Sequence, residues 1–447
     1  MLRCLFYRLR GAFAKRSAGI IRMNYSGKQA LCLYILVALA IYLRFLRGLH
    51  IFTSYEELYR TAARKLEEEA PKVSELDCRI FMNAKNSWNK TLDGLSKTQV
   101  KENIVYKGSC ELTQSTMWQV PSSRLEQNFP IAYSVMVYRD FDRFVRLLRA
   151  IYRHHNVYCI HVDQNSDKEF KSKVTNFVGC FSNVFQPSVP VHVQWGLSSV
   201  LEAELVCMRA LWNHPIRWKA LINLTGQEFP LKTNLELVNI LQVMAGQNDV
   251  WIDPCTYDGP GDYQDELCQS ITPEGFRDRW KKIEAPPFKV TPYKGQVHVV
   301  LFRAAVDFIL HSFVSRVFLE WVNKTNIPDE LYFSSLNSNP HVGIPGGNKN
   351  PMALKPSISR FKLWWNRHKH IIKSCDTYVR NICQLTPREL SAMTTSKQLF
   401  ANKFKVDLKP AGYSCLEEWF YQRVLMELKT NRIHLDLTYY RKLFAQE

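Results

Sequence analysis

Residues 158–167 read YCIHVDQNSD. An apolar run rises to Val162, ends on Asp163 and breaks into polar turn residues. A buried strand that ends on a carboxylate has two readings: Asp163 caps a turn, or it stands at the rim of a pocket and holds a ligand. The neighbouring sequence weighs on the choice. IAYSVMVY (131–138) is a second apolar, β-branched run, and RDFDRFVRLLRAIYRHH after it carries a helical stripe at Phe144, Leu147, Leu148 and Ile151. Ser199-Val-Leu-Glu202 and Thr233-Asn-Leu-Glu236 have the spacing of capping boxes that open helices. Between them WKALINLTGQEFPL (218–231) reads as a strand running into a loop with Gly226 and Pro230. Strands alternating with helices predict a mostly parallel sheet wrapped by helices. In such sheets ligands bind beyond the carboxyl ends of the strands. Asp163 occupies such an end, which favours the ligand.

The chain has 447 residues, enough for one large domain or two ordinary ones, and 46% of them are hydrophobic. Its net charge of +18 is uneven. Residues 1–28 hold seven Lys/Arg and no Asp/Glu, and Arg44 and Arg47 follow, so half of the excess lies in the first fifty residues. The remainder is a modest bias. It argues against nucleic acid as a partner, which needs a concentrated basic face, and suits an anionic small ligand.

ALCLYILVALAIYL (30–43) is apolar and uncharged behind that basic leader. With Arg44 and Arg47 snorkelling, the span extends to residue 52. The positive flank predicts a cytoplasmic tail over 1–29, a transmembrane signal anchor over 30–52 and everything later on the far side. SYEELYRTAARKLEEEAPKVSEL (53–75) is charged and helix-prone; 53–77 reads as a stem, 78–129 as a stem-proximal region and 130–447 as the main domain. Ten cysteines follow the anchor, an even number in an oxidising compartment, so disulfides are expected. Clustered Cys/His spacing for zinc is missing. The sequons at Asn89 and Asn323 read as exposed, whereas that at Asn223 follows an apolar run.

YCIHVD, CFSNVF (180–185), INLTGQEFPLKTNLELV (222–238), IPDE (327–330) and LFANKF (399–404) together resemble the core 2 β-1,6-N-acetylglucosaminyltransferases. Peptide O-xylosyltransferases belong to the same wider group, and Trp195-Gly196-Leu197-Ser198 is similar to them. The resemblance implies a GT-A-type nucleotide-sugar transferase fold and an inverting reaction. It places the enzyme in the Golgi membrane as a single-pass type II protein with a lumenal domain. The partners implied are a UDP-sugar and an O-glycan acceptor on glycoproteins; an oligomer is left open.

The resemblance also implies that no metal or other cofactor is used. Here the second strand ends Asp163-Gln164-Asn165, without the second carboxylate of an Asp-x-Asp metal pair. Asp140-Phe141-Asp142 has that spacing but reads as a helix start, with Asp140 as N-cap. In place of a metal the resemblance assigns the donor diphosphate to Arg380 and Lys403, the uridine to Asp163 and a place beside the uracil to Tyr138. An Arg fork and a Lys point charge are suited to phosphate oxygens. Pro328-Asp329-Glu330 reads as a helix N-terminus, and the resemblance makes Glu330 the general base. Trp364 matches an aromatic that packs on the acceptor sugar, and Arg279-Trp280-Lys281-Lys282 resembles part of an acceptor cluster. The implied disulfides are Cys78–Cys415, Cys110–Cys180, Cys159–Cys207 and Cys375–Cys383; Cys255 and Cys268, left over and close in sequence, are expected to form a fifth. The resemblance is loose over 247–300 and 331–362, so the transferred sugar stays open between N-acetylglucosamine, glucose and xylose. A sugar-binding membrane protein that has lost catalysis is the alternative from another class.

Overall fold

The computed structural model describes Tyr42 and residues 57–68, 77–83, 90–96, 109–115, 117–118, 120–253, 279, 282–351, 355–364, 375–405 and 410–445. The chain divides into two compact units, 1–61 and 62–447. Of the first, Tyr42 and the helical residues 57–61 are described. Among the described residues no helix is long and apolar enough to cross a membrane. The anchor expected at 30–52 lies, Tyr42 apart, outside them, as do Asn89, Cys255 and Cys268.

The centre of the larger unit is a six-stranded sheet in the order β3-β2-β1-β4-β7-β6. It is built from β1 (Ile131–Val137), β2 (Val157–Val162), β3 (Val184–Phe185), β4 (Ala220–Thr225), β6 (Asp249–Ile252) and β7 (Gly295–Phe302). β1, β2, β3 and β4 run parallel, while β7 pairs antiparallel with both β4 and β6. The mostly parallel sheet is therefore present, with β7 alone running against the other strands. All six residues of β2 are buried, as expected of a strand covered on both faces.

Successive residues feed opposite layers. Tyr133, Val135, Tyr158 and Ile160 enter a core with Phe144, Phe177 and Leu237. Those three come from α1 (Phe141–Ile151), α2 (Lys168–Val178) and α4 (Asn234–Val243). Ala132, Val157, Cys159 and Leu221 enter the other core. There they meet α3 (Ser199–Asn213), α5 (Arg303–His311), α6 (Phe313–Val322) and α7 (Tyr332–Asn337) through Leu205, Ala305, Phe318 and Leu336. Helices thus cover both faces of the sheet.

Local capping follows the sequence in part. Asp140 caps α1 by accepting from Arg143 N, and Thr233 and Glu236 form a reciprocal capping box on α4. Ser199 forms no such box: α3 begins at Ser199 itself, and its hydroxyl accepts from Gln194 N at 2.8 Å.

A second sheet of three short strands sits after β4. β5 (Glu228–Pro230) pairs antiparallel with β11 (Phe400–Asn402), which pairs parallel with β8 (Arg360–Phe361). The hairpin of β9 (Tyr378–Val379) and β10 (Ile382–Cys383) lies between β8 and β11 in the chain.

Disulfides join Cys78–Cys415, Cys110–Cys180, Cys159–Cys207 and Cys375–Cys383, the four pairs that the resemblance implies. The first two fasten the stem-proximal segment to the body. Trp118 packs there against Tyr421, with ring centroids 4.9 Å apart, and Gln114 donates to the Cys180 carbonyl. Ala63 and Leu66, in the segment expected as a stem, are also buried.

Candidate active site

Three parallel strands deliver their carboxyl ends to one rim. The amide of Asp163, just past β2, donates to Val137 O at the end of β1, and Gly226 N, just past β4, donates to Met136 O. The chain runs outward from β1 to β2 and β3, then returns to the other side of β1 with β4. This is a topological switch point, where open α/β sheets bind ligands.

Asp163 turns out to serve the turn whether or not it serves a ligand. Its Oδ1 accepts from Asn165 N at 3.0 Å and from Val193 N at 3.2 Å. The carboxylate thereby pins the loop that carries Trp195. Tyr138, next after β1, is 43% exposed and lies under the Arg139 guanidinium, 4.8 Å from its ring centroid.

The β9–β10 turn explains how Arg380 is presented. Arg380 and Asn381 both adopt left-handed backbone, with φ of 52° and 61°. That pairing is characteristic of the tight two-residue hairpin turn. Asn tolerates it better than Arg, so the turn holds Arg380 in a mildly strained position, a frequent trait of functional sites. The Cys375–Cys383 disulfide closes the hairpin. At its tip the Arg380 guanidinium lies 4.2 Å from the Trp195 ring centroid.

Lys403 directly follows β11. Burial, followed by the positive charges of Arg380 and Arg139, pushes its ammonium below the usual lysine value. Arg139 and Arg380 are thus each close enough to Lys403 to repel it electrostatically, and among the described residues none of the three has an acidic ion-pair partner. Such a cluster is suited to an anion.

Glu330 lies on a turn tied to the loop that carries Trp195. Ile327, in left-handed backbone at φ 55°, turns the chain into the short 3-10 helix Pro328–Glu330. A β-branched residue there is uncommon; Ile327 N is held by the carbonyl of Gly196, whose φ of 82° suits glycine. Glu330 is partly exposed, and its Oε2 accepts from Arg279 Nη2 at 2.9 Å. Asp329 beside it is pushed up to about 7 by burial and then by the Glu330 charge.

Trp364 is tied to the hairpin that carries Arg380. It bridges Ile382 of β10, and the ammonium of Lys362 lies 4.6 Å from its ring centroid. Arg139 and Arg380 thus act electrostatically on Lys403, Arg380 touches Trp195, Gly196 next to it holds Ile327, and Glu330 attracts Lys362 beside Trp364. Tyr138, Glu330, Trp364, Arg380 and Lys403 have these neighbours, and Asp163 holds the loop of Trp195; Trp280 and Lys281 lie outside the described residues. Arg139, Trp195 in contact with Arg380, and Lys362 were missed; each is recruited by a tertiary contact that no local motif records.

Behind the site, Glu228 is fully buried. Its Oε1 accepts from His298 Nε2 at 2.9 Å and Asn402 Nδ2 at 2.8 Å, and its Oε2 meets Arg360 Nε at 2.9 Å. Burial alone would raise Glu228, but Arg360 and then His298 outweigh it and hold the carboxyl low.

The Asp140-Phe141-Asp142 pair remains a helix start, with Asp140 paired to Arg143. Among the described residues, the only His/Cys/Asp/Glu group close enough to share an ion is Cys375, Cys383 and Glu389, and its two sulfurs are bonded to each other. A cleft of about 970 Å³ lies at the other end of the sheet, where Lys219 precedes β4 and Arg303 follows β7. It contains none of the candidate site residues. Asn223 is buried, with its side-chain amide bonded to Val297 O and Val299 N, whereas Asn323 is exposed at the end of α6.

Comparison with known proteins agrees with this architecture. Residues 131–394, more than half of the chain, match the pattern of the Core-2/I-Branching enzymes. A human β-1,3-galactosyl-O-glycosyl-glycoprotein β-1,6-N-acetylglucosaminyltransferase is 32% identical over 328 residues, covering 69% of this chain and 74% of the relative. A mouse N-acetyllactosaminide β-1,6-N-acetylglucosaminyl-transferase is 33% identical over 353 residues, covering 75% and 84%. A mouse β-1,3-galactosyl-O-glycosyl-glycoprotein β-1,6-N-acetylglucosaminyltransferase 4 is 34% identical over 328 residues, covering 71% of each. The chain belongs to the Core-2/I-branching enzyme family and is a glycosyltransferase.

Proposed function

We propose that this enzyme transfers N-acetylglucosamine from a UDP-sugar to a sugar hydroxyl of an O-glycan, forming a β-1,6 branch with inversion and without a metal. The observation that carries the reading is the group of cations Arg139, Arg380 and Lys403 without an acidic partner among the described residues, with Arg380 on Trp195, whose neighbour Gly196 holds the turn into Glu330. Asp163 and Tyr138 hold the uridine, and the three cations hold the diphosphate. The acceptor sugar stacks on Trp364. Its hydroxyl oxygen attacks the anomeric carbon from the side opposite UDP, and Glu330 takes the proton from that hydroxyl. The bond between the anomeric carbon and the phosphate oxygen breaks, and UDP leaves with the electron pair. The cations stabilise the charge that develops on it. The names of the relatives support the N-acetylglucosaminyl donor and the β-1,6 linkage. The Golgi lumen, reached through the anchor at 30–52, is the compartment that fits the glycan substrate and the disulfides.

A donor screen with the full-length enzyme tests this. UDP-N-acetylglucosamine, UDP-glucose and UDP-xylose are each offered with a panel of O-glycan acceptors, and UDP release and product linkage are measured. N-acetylglucosamine in a β-1,6 linkage is expected. Turnover with xylose or glucose alone would reassign the donor, and no transfer from any of them would favour a sugar-binding protein.

A further inference from the structure

Lys362 follows β8, lies against Trp364 and is attracted by Glu330. It is a partly buried ammonium whose partners are weak. It lies 3.4 Å from Gln296 Oε1 and 4.6 Å from the centroid of the Trp364 ring. Among the described residues it has no ion-pair partner. Two carboxylates attract it, Glu330 and Glu228, while Lys403 and Arg360 repel it. Glu228 is already engaged by His298, Asn402 and Arg360, and Glu330 binds Arg279 through Oε2. An ammonium has three donors, and one long hydrogen bond leaves donors for a ligand.

The two ligands of the site make different demands. The diphosphate already faces Arg139, Arg380 and Lys403, and a fourth cation there adds repulsion before it adds binding. The acceptor side has Trp364 as a stacking face and Glu330 as a base, but a neutral sugar also needs donors for its hydroxyls. Lys362 touches the first and is attracted by the second. We propose that Lys362 is an acceptor-binding residue: its ammonium, steadied by Gln296 and Trp364, donates hydrogen bonds to hydroxyls of the stacked sugar and so sets the attacking hydroxyl against Glu330. This rests on the roles given above to Trp364 and Glu330.

The test uses the full-length enzyme as wild type, Lys362→Met, Lys362→Arg and Gln296→Ala. UDP is titrated calorimetrically, the disaccharide galactosyl-β-1,3-N-acetylgalactosamine is titrated by NMR in the presence of UDP, and steady-state rates are taken where transfer occurs. Lys362→Met is expected to raise the acceptor Kd and KM about tenfold or more, with the UDP Kd within about twofold of wild type. Lys362→Arg should recover part of the loss, and Gln296→Ala should show a smaller loss of the same kind. If Lys362→Met does not fold, Gln296→Ala decides by the same readouts. Weakened UDP binding with unchanged acceptor binding would assign Lys362 to the diphosphate and overturn the proposal, as would no change in either. A wild type that binds the disaccharide but transfers nothing would defeat the proposed reaction alone, because the NMR titration still decides the role of Lys362. A wild type that does not bind the disaccharide would overturn the role of Lys362 in recognising it.

Discussion

Arg279 Nη2 meets Glu330 Oε2 at 2.9 Å, so the carboxylate nearest the acceptor platform is clamped through one oxygen. The guanidinium fixes the side chain through Oε2, while Oε1 stays available for a proton. Glu330→Gln keeps the shape and the Arg279 contact but cannot accept the proton. It is expected to fold, to bind UDP as the wild type does, and to lose about 10²–10⁴ in kcat. Near-normal turnover by a folded Glu330→Gln enzyme would remove Glu330 as the base.

The donor side gives a metal-independent prediction. Each of Arg139, Arg380 and Lys403 is expected to contribute a charge-assisted bond to the diphosphate, about 1.5–3 kcal/mol apiece. Arg380→Ala and Lys403→Ala should each raise the UDP Kd by roughly tenfold or more in calorimetry, with Arg139→Ala smaller because its guanidinium stacks on Tyr138. Transfer should survive EDTA. Loss of activity in EDTA and its return with Mn²⁺ would mean that an ion does the work assigned to these cations.

The same cluster predicts ligand-linked stability. Arg139 and Arg380 repel Lys403 in the empty site, and a bound diphosphate relieves that repulsion. UDP at about 100 times its Kd should stabilise the fold by about 2.7 kcal/mol, seen as a rise in Tm. In Arg380→Ala the rise at the same UDP concentration should shrink. An equal rise in both proteins would place UDP elsewhere.

The buried network behind the site governs acid stability. His298 is pushed below its ordinary value by burial, which the Glu228 charge opposes only in part. As pH falls below the usual histidine value of about 6.5, the unfolded chain takes a proton that folded His298 refuses, and stability drops. Glu228 is held below the usual glutamate value, so it adds a second loss below about pH 4.3. Glu204 has the opposite sign. Burial pushes it up to about 8 despite its 2.8 Å bond from Ser134. It weakens the fold as pH rises from the ordinary glutamate value toward 8. Denaturant midpoints across pH should therefore fall on both sides, and Glu204→Gln should flatten the alkaline limb alone. Glu228→Gln, which leaves Arg360 buried without its partner charge, should cost about 3–5 kcal/mol.

The central strands were legible because burial on both faces writes itself as an unbroken apolar run, as in Val157–Val162. Pro328-Asp329-Glu330 was legible because its residues are contiguous. Arg279 and Lys362 were not placed at Glu330, because the pairing spans 51 residues for Arg279 and depends on the register of β8 with β11 for Lys362. β6 and most of the reversed β7 lie where the family resemblance is loose, and a short apolar run does not fix strand direction. Ser199 misled because the spacing of a capping box cannot show that Gln194 N claims the hydroxyl.

Asp163 holds the turn, and its proposed second role on the uridine sets the last prediction. Its Oδ1 holds Asn165 N and Val193 N, and Val193 leads to Trp195, which stacks on Arg380. Asp163→Ala removes two backbone contacts, each worth about 0.5–1.5 kcal/mol, and should lower Tm while weakening UDP binding. Asp163→Asn keeps an oxygen for both amides but loses the charge. It should melt near the wild type and still bind UDP about tenfold more weakly. Calorimetry and thermal melting on the two variants separate the roles. If Asp163→Asn binds UDP at wild-type strength, the carboxylate serves the turn alone and the uridine is held elsewhere.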